Sequence, residues 1–138
     1  MVRDAATIAE TAHAEVERQA ASVLVIDDDP DVRGFIAAAL EDQGYRVRQA
    51  SDGREGLAEV QREKPDLVIV DFIMPEMSGA EVARKIRARI PQQSILFVSG
   101  YSETDAVKRT APDAPLLTKP FRADALNRAV RAALPPQA

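Results

Sequence analysis

The chain has 138 residues, with 18 Lys and Arg against 22 Asp and Glu, so its formal net charge is −4. This length predicts a single domain, and the mild acidity argues against the basic surface that direct nucleic-acid binding requires. The absence of cysteine excludes disulfides, thiolate metal sites and cysteine nucleophiles. No apolar run is long enough to cross a membrane and the first residues form no secretory signal, so we expect a cytoplasmic protein.

The beginning of the chain, residues 1–21, predicts a helical extension or a linker. Residues 4–20 contain no Gly or Pro, and apolar side chains recur every four positions along one helical stripe: Ile8, Ala12, Val16 and Ala20. Only two of these side chains are large. A solvated helix or linker is therefore favoured over a helix that pairs with a partner or with its own copy.

From Ser22 onward, short apolar runs alternate with amphipathic segments. The runs predict three buried strands at 23–26, 67–70 and 95–98 and two weaker strands at 45–50 and 115–118. The segments between and after them have the helical spacing of apolar residues. The first helix is expected to end at Gly44 and to face inward with Val32, Phe35, Ile36, Ala39 and Leu40.

Strict alternation of strand and helix indicates an α/β protein with a parallel sheet and helices on both faces. Right-handed crossovers restrict the connections further. The flavodoxin-like order 2-1-3-4-5 places the most apolar strands at the centre and the weaker ones at the edges. We therefore predict a five-stranded (βα)5 fold in that order.

Polar residues follow the predicted strands at the point where each strand ends. Asp27 and Asp28 follow the first strand, Asp71 the third, Ser99 the fourth and Lys119 the fifth. In folds of this kind, ligands bind at the carboxyl ends of the strands, near the switch point of the strand order. Side chains that are far apart in sequence are therefore expected to meet at one edge of the sheet.

This combination of side chains favours phosphoryl transfer. Three neighbouring carboxylates repel one another unless a cation lies among them, and oxygen ligands suit Mg²⁺. A hydroxyl and an ammonium supply the hydrogen bond and the charge that phosphoryl oxygens need. An ionised Asp can itself be the nucleophile. Taken singly, each residue is more often a helix cap or a solvated charge, and it is their joint occurrence that indicates the chemistry.

These motifs together resemble the receiver domain of two-component response regulators, over residues 22–134. Several short pieces carry the likeness: Val23-Leu24-Val25-Ile26-Asp27-Asp28-Asp29-Pro30, Asp71-Phe72-Ile73-Met74-Pro75, Ser78-Gly79, Ser99-Gly100-Tyr101 and Lys119-Pro120-Phe121. The resemblance implies that Asp71 accepts a phosphoryl group from a histidine of a sensor kinase or of a histidine phosphotransfer protein.

The resemblance also implies roles for the neighbouring residues. Asp28 and Asp71 would bind Mg²⁺ directly, Asp27 would bind it through water, and the backbone carbonyl of Ile73 would complete the metal site. Ser99 and Lys119 would bind the phosphoryl oxygens. A cis peptide between Lys119 and Pro120 is expected, which an X-Pro bond tolerates at modest cost, and a turn at Gly79 would support the loop beside Asp71.

The sequence departs from the family pattern in its last third. Leu116 stands where many receivers carry a Tyr or Phe that rotates on activation. Two prolines stiffen the segment 110–115. This shortened region together with Ser99-Gly100-Tyr101-Ser102 resembles receivers attached to hybrid histidine kinases more than those that precede DNA-binding domains. The bulky Ile73 and Tyr101, expected to flank the phosphoryl group, lack a carboxamide or carboxylate that orients water, so slow self-dephosphorylation is predicted.

Other functions fit less well. A phosphatase of the haloacid dehalogenase type would carry a second Asp where this chain has Ile73, and its cap domain would need a longer chain. A receiver-like domain that is never phosphorylated would not need the acidic cluster with Ser99 and Lys119. A receiver fragment of a hybrid histidine kinase, acting in a phosphorelay or in autoregulation, remains an alternative to a stand-alone response regulator.

The expected organisation is a receiver domain at 22–138 after the extension at 1–21, with no effector domain of its own. Its output would then be a contact with a downstream protein target, made without nucleic acid or membrane by a monomer or weak dimer. Small residues on the outer side of the first helix, Gly34, Ala37 and Ala38, would let a kinase helix approach. The face expected to carry the output includes Thr104, Lys108, Arg122, Asn127, Arg128 and Arg131.

Overall fold

The computed structural model describes residues 21–112 and 114–135, so all but the last residue of the expected extension at 1–21 lies outside it. The described part contains five strands: β1 (Ser22–Ile26), β2 (Arg46–Ala50), β3 (Leu67–Asp71), β4 (Ile95–Ser99) and β5 (Leu116–Thr118). It also contains five α-helices: α1 (Pro30–Asp42), α2 (Gly53–Arg62), α3 (Gly79–Arg89), α4 (Thr104–Thr110) and α5 (Ala123–Ala133). A 3₁₀ turn (Tyr101–Glu103) precedes α4.

All five strands run parallel in the order β2-β1-β3-β4-β5, which confirms the predicted topology. The three apolar runs form β1, β3 and β4, whose residues are buried throughout. The edge strand β2 is largely polar, and Ala50 is its one buried residue. Because both faces of a central parallel strand are covered, such a strand needs a continuous apolar run, whereas an edge strand does not.

Two hydrophobic layers cover the two faces of the sheet. Alternate residues of β1 point to opposite faces: Leu24 and Ile26 pack with α2 and α3, whereas Val23 and Val25 pack with α1 and α5. Phe72 and Phe97 meet edge to face in the first layer, with ring centroids 5.8 Å apart. Both faces of the sheet are therefore covered by packed apolar side chains.

Helices α1, α2 and α3 begin at the same edge of the sheet, and each has a side-chain cap. Asp29 accepts hydrogen bonds from the backbone N–H groups of Asp31 and Val32, and Pro30 occupies the first turn of α1. Asp52 caps α2 and Ser78 caps α3 in the same manner. Short polar residues stabilise these helix starts because they satisfy N–H groups that lack a partner in the helix.

The buried face of α1 differs from the predicted one. Ile36 and Leu40 are buried as expected, but Phe35 is 45% exposed and Ala37 only 2% exposed. The face is rotated toward Ala37, so this residue is not available on the outer side of the helix for a kinase. Phe35 instead lies near Phe121 of the β5–α5 loop, with ring centroids 6.0 Å apart, and this contact explains why an aromatic side chain is tolerated at the surface.

The described part of the segment between β4 and β5 contains only short elements. Helix α4 has seven residues and β5 has three. Leu116 of β5 is half-buried and packs against the layer that contains Phe97. An aliphatic side chain therefore takes part in the core at the position where many receivers carry an aromatic one.

Candidate functional site

The polar residues predicted from the strand ends do lie at one edge of the sheet. Asp27 directly follows β1, Asp71 ends β3, Ser99 ends β4, and Lys119 directly follows β5. Because these strands are parallel neighbours in the order β1-β3-β4-β5, their carboxyl ends meet. The register pairs Ser99 with Thr118, the residue before Lys119.

Three carboxylates form the acidic cluster of the site. One oxygen each from Asp27, Asp28 and Asp71 lies within 4.8 Å of the others. Asp27 is 1% exposed and Asp71 is 6% exposed, whereas Asp28 faces solvent. Like charges at this separation repel one another, and burial strengthens the repulsion because less water screens it.

The ammonium of Lys119 partly offsets this repulsion. Its Nζ donates a hydrogen bond to Asp71 Oδ2 at 3.1 Å and lies 3.9 Å from Asp27 Oδ2. Partial burial alone would lower the pKa of Lys119, but the hydrogen bond to Asp71 and the charges of Asp71, Asp27 and Asp29 together raise it above its ordinary value. The lysine is therefore held in its charged form.

Asp27 remains destabilised as a carboxylate. Burial raises its pKa, the hydrogen bond from the Asp29 N–H lowers it, and the charge of Asp71 raises it again, with a net value of about 6 against an ordinary 3.8. Burial is thus the main reason why the carboxylate form of Asp27 is disfavoured. A group in such a state is typical of a functional site.

Two buried polar atoms of the site have no hydrogen-bond partner in the described part of the chain. They are Asp27 Oδ2 and Ser99 Oγ, and the Ser99 residue is fully buried. Buried polar atoms are nearly always satisfied, so each of these two atoms is available to a ligand of the site. Two buried carboxylates with an exposed third offer only hard oxygen donors, a set that fits a Mg²⁺ ion.

The loop from β3 to α3 positions Asp71. The Ile73 N–H donates to Asp71 Oδ1 at 3.1 Å, and the Ile73 side chain is 52% exposed beside the site. The Gly79 N–H donates to the Phe72 carbonyl at 2.9 Å. A Cβ at Gly79 would overlap the backbone carbonyl of Asp71, so the expected turn at Gly79 needs a residue without a side chain there. The side chain of Tyr101 lies outside the described part of the structure.

Sequence reasoning missed one residue that supports the site. The guanidinium of Arg33 donates to the Asp27 carbonyl at 2.8 Å and to the Gln49 side chain at 3.2 Å, and so joins α1 to the ends of β1 and β2. Its spacing places Arg33 one helical turn after the Asp29 cap and therefore on the same side of α1, but it does not identify the acceptors. The cis peptide between Lys119 and Pro120, expected from the resemblance, is present.

The fold and this site define a known class of protein. The family model of the response regulator receiver domain matches residues 23–131. This match covers most of the chain, which therefore belongs to the receiver domain family of two-component systems. The resemblance drawn from the sequence is confirmed.

Individual relatives agree with this assignment. The chain is 35% identical to the response regulator receiver protein CpdR of Brucella abortus over 105 residues, which cover 72% of this chain and 84% of CpdR. It is 39% identical to the sensor kinase CckA of the same species over 85% of this chain and 13% of CckA. The structure of the chemotaxis response regulator CheY4 of Vibrio cholerae superposes with a TM-score of 0.75 at 33% identity, covering 83% of this chain and 98% of CheY4.

Other relatives are longer proteins. The chain matches 24% of the nitrogen assimilation regulatory protein NtrX of Azorhizobium caulinodans, and 50% and 42% of two further transcriptional regulators. The shared part is thus the receiver. In the described residues, no helix has the length and apolar character needed to span a membrane.

Proposed function

We propose that this domain is a phosphorylation-dependent switch in which Asp71 accepts a phosphoryl group from a histidine of a sensor kinase or of a histidine phosphotransfer protein. Receiver domains are phosphoacceptors rather than classical enzymes, and membership of the family supports this role. The observation that carries the assignment to Asp71 is its contact with Lys119, 3.1 Å from Oδ2, beside two further carboxylates.

In the proposed transfer, a carboxylate oxygen of Asp71 attacks the phosphorus, and the bond from phosphorus to the histidine nitrogen breaks. The imidazole leaves with its electron pair and takes up a proton. Lys119 and the unpartnered hydroxyl of Ser99 would bind the phosphoryl oxygens. Both would act on charge that increases during transfer, where fixed donors are most effective.

Mg²⁺ is the cofactor that this site would use. Asp28 and Asp71 would bind it directly and Asp27 through water, and the backbone carbonyl of Ile73 would be a further oxygen ligand. When bound, the ion supplies positive charge that offsets repulsion between the carboxylates and the incoming phosphoryl group. The unpartnered Oδ2 of Asp27 and its raised pKa support a cation at this position.

A receiver within a hybrid histidine kinase is the second candidate. The 39% identity to the sensor kinase CckA supports it. In that setting, the same chemistry at Asp71 would serve a phosphorelay or autoregulation within a longer protein. The phosphatase alternative lacks support, because position 73 carries an exposed isoleucine and no acid.

We assign the receiver to residues 22–138 and propose that its output is a contact with another protein. The predicted output face includes Lys108, Arg122, Arg128 and Arg131, whose side chains are exposed, whereas Thr104 and Asn127 are half-buried. The proposed state of the isolated chain is a monomer or weak dimer in the cytoplasm, without direct contact to nucleic acid or membrane.

The direct test is phosphorylation by acetyl phosphate, followed by intact mass measurement with and without Mg²⁺. We expect one phosphoryl group per chain, and only with Mg²⁺. Asp71→Asn should abolish incorporation, whereas Asp66→Asn, at the opposite edge of the sheet, should retain it. Incorporation that is equal in Asp71→Asn and wild type would refute the assignment. If the wild type takes up no phosphoryl group even with Mg²⁺, a receiver-like binding domain that is never phosphorylated would be favoured instead.

A further inference from the structure

A large cavity in the described part of the chain lies away from the acidic cluster. It opens between α2 and α3 and has a volume of about 790 Å³. The residues that line it belong to 57–64 and 85–90, the C-terminal parts of the two helices and the residues that follow. These positions precede β3 and β4, so the cavity lies toward the amino ends of the strands, at the other end of the sheet from Asp71.

The floor of this cavity is apolar. Val60 and Ile86 are buried members of the hydrophobic layer, and Leu57 and Ile90 are partly buried against it. All four side chains line the cavity. Its volume lies within the range of sites that bind organic groups, about 300–1,000 Å³. The cavity therefore offers an apolar floor to an incoming side chain.

The rim is basic, in a protein whose net charge is −4. Arg62, Lys64, Lys85 and Arg89 line the cavity, together with one acidic residue, Glu63. All of these side chains are exposed. Two of the cations have carboxylate partners: Arg62 pairs with Glu59 at 2.8 Å and Lys85 with Glu81 at 3.6 Å.

The other two cations have no ion-pair partner among residues 21–112 and 114–135. These are Lys64 and Arg89, which also line a second cavity of about 470 Å³ together with Ile90. The two cavities thus adjoin and share their cations. We call the larger cavity with its rim the basic groove, formed by Leu57, Val60, Arg62, Lys64, Lys85, Ile86, Arg89 and Ile90.

We propose that the basic groove docks an acidic amphipathic helix of a partner protein. Leucine-sized side chains on one face of that helix would fill the apolar floor, and Asp or Glu beside them would pair with Lys64 and Arg89. Helices that bind in grooves use this combination of apolar anchors at i, i+3 or i+4 and i+7. The recessed floor favours a protein segment over a bilayer or duplex, because a broad surface cannot reach into it.

The test uses the full chain and two designed helical peptides. Both peptides carry leucines at i, i+4 and i+7, and one has glutamates where the other has lysines. Fluorescence anisotropy should show binding of the glutamate peptide and none of the lysine peptide. The double variant Lys64→Glu/Arg89→Glu should weaken binding of the glutamate peptide about tenfold, equal to about 1.4 kcal/mol, and should begin to bind the lysine peptide.

A matched charge reversal provides the control. Arg54→Glu/Arg109→Glu changes the net charge equally at two exposed residues, one in the first turn of α2 and one in α4, and should leave the affinity unchanged. If both double variants weaken binding of the glutamate peptide equally, the effect comes from long-range attraction by net charge, and the proposal is overturned. Absence of binding by the glutamate peptide, or amide shifts that map away from residues 57–64 and 85–90, would overturn it too.

A further measurement tests whether the basic groove binds residues 1–20 of the same chain instead of a partner helix. Without any peptide, Lys64→Glu/Arg89→Glu should leave the amide spectrum of residues 1–20 unchanged. If those amides shift, the groove already holds the chain's own first segment, and the proposal of a partner helix fails. Because the groove and Asp71 are at opposite ends of the sheet, phosphorylation and peptide binding are measured separately, and neither result decides the other.

Discussion

Charged side chains are buried at one end of the sheet and exposed at the other. At the carboxyl end, Asp27 and Asp71 are buried within a few ångströms of each other and of Lys119. At the amino end, the cations of the basic groove stand in solvent around an apolar floor. Buried charges that lie close together are typical of sites where a reaction occurs. Exposed charges around an apolar surface are typical of sites that bind another protein.

The difference has an energetic basis. A buried carboxylate that stays crowded costs stability, and the pKa of about 6 at Asp27 is a measure of that cost. Exposed cations such as Lys64 and Arg89 cost almost nothing, since water solvates them. Substitutions at the carboxyl end should therefore have large effects on both chemistry and stability, and matched substitutions at the amino end should have small ones.

The largest effect is expected at Lys119. Lys119→Met removes the ammonium that contacts Asp71 while keeping a chain of similar length, so the rate of phosphorylation by acetyl phosphate should fall about 100-fold. Lys85→Met, in the basic groove, should change that rate less than twofold. Mass spectrometry at a fixed Mg²⁺ concentration measures the phosphorylation rate of each variant. A similar decrease of the rate in both variants would contradict the contrast between the two ends of the sheet.

The next effect is expected at two glycines. Gly79→Ala places a methyl group against the Asp71 carbonyl and should lower the free energy of unfolding by about 3 kcal/mol. At Gly34, an added Cβ meets nothing within 4 Å. Gly34→Ala should therefore raise the free energy of unfolding by about 0.5–1 kcal/mol through helix propensity. Urea unfolding measures both, and a neutral Gly79→Ala would contradict the close approach of this loop.

A pH-dependent effect is expected at Asp27. Its pKa is higher in the folded than in the unfolded chain, so the folded state holds the proton more tightly, and the free energy of unfolding falls as the pH rises from about 4 to 6. In EDTA, Asp27→Asn should therefore stabilise the protein by about 2 kcal/mol at pH 7.5 and hardly at all at pH 4. Exposed Glu63→Gln should change stability by under about 0.5 kcal/mol at either pH. A gain for Asp27→Asn that does not depend on pH would contradict the assigned cause.

The smallest effect is expected at Ile73. Its exposed side chain beside Asp71 has no group that orients a water molecule, so loss of the phosphoryl group should be slow. Ile73→Asn should accelerate it about threefold, because a carboxamide can hydrogen-bond the attacking water. Decay of phosphorylated Asp71 in Mg²⁺ buffer tests this, and an unchanged half-life in Ile73→Asn would show that access of water is limited elsewhere.

The sequence predicted the fold and the grouping of the site residues for a physical reason. The runs ending at Ile26, Val70 and Val98 are so apolar that only central parallel strands bury them, and this placement brings the polar residues that follow to one edge. Periodicity was less informative for α1, where Phe35 and Ala37 exchange their expected places. The rotation of a helix depends on what packs against it, and the Phe121 contact comes from a distant part of the chain.

Contacts made by long polar side chains were also beyond sequence reasoning. Arg48 of β2 donates to the Glu59 carboxylate and to the backbone carbonyls of Glu59 and Glu63, and so holds the end of α2. Arg33 reaches the Asp27 carbonyl in the same manner. A flexible guanidinium has many possible acceptors, and spacing alone does not select among them.

One backbone hydrogen bond ties the two expected phosphoryl-binding residues together. The Lys119 N–H donates to the Ser99 carbonyl at 2.7 Å, at the end of the β4–β5 pair. The backbones of the two residues are therefore linked directly. Because β5 is an outer strand of three residues with a single neighbour, few backbone hydrogen bonds hold it in the sheet. A shift of Ser99 toward a bound phosphoryl group would therefore reach the edge of the sheet through a single backbone hydrogen bond.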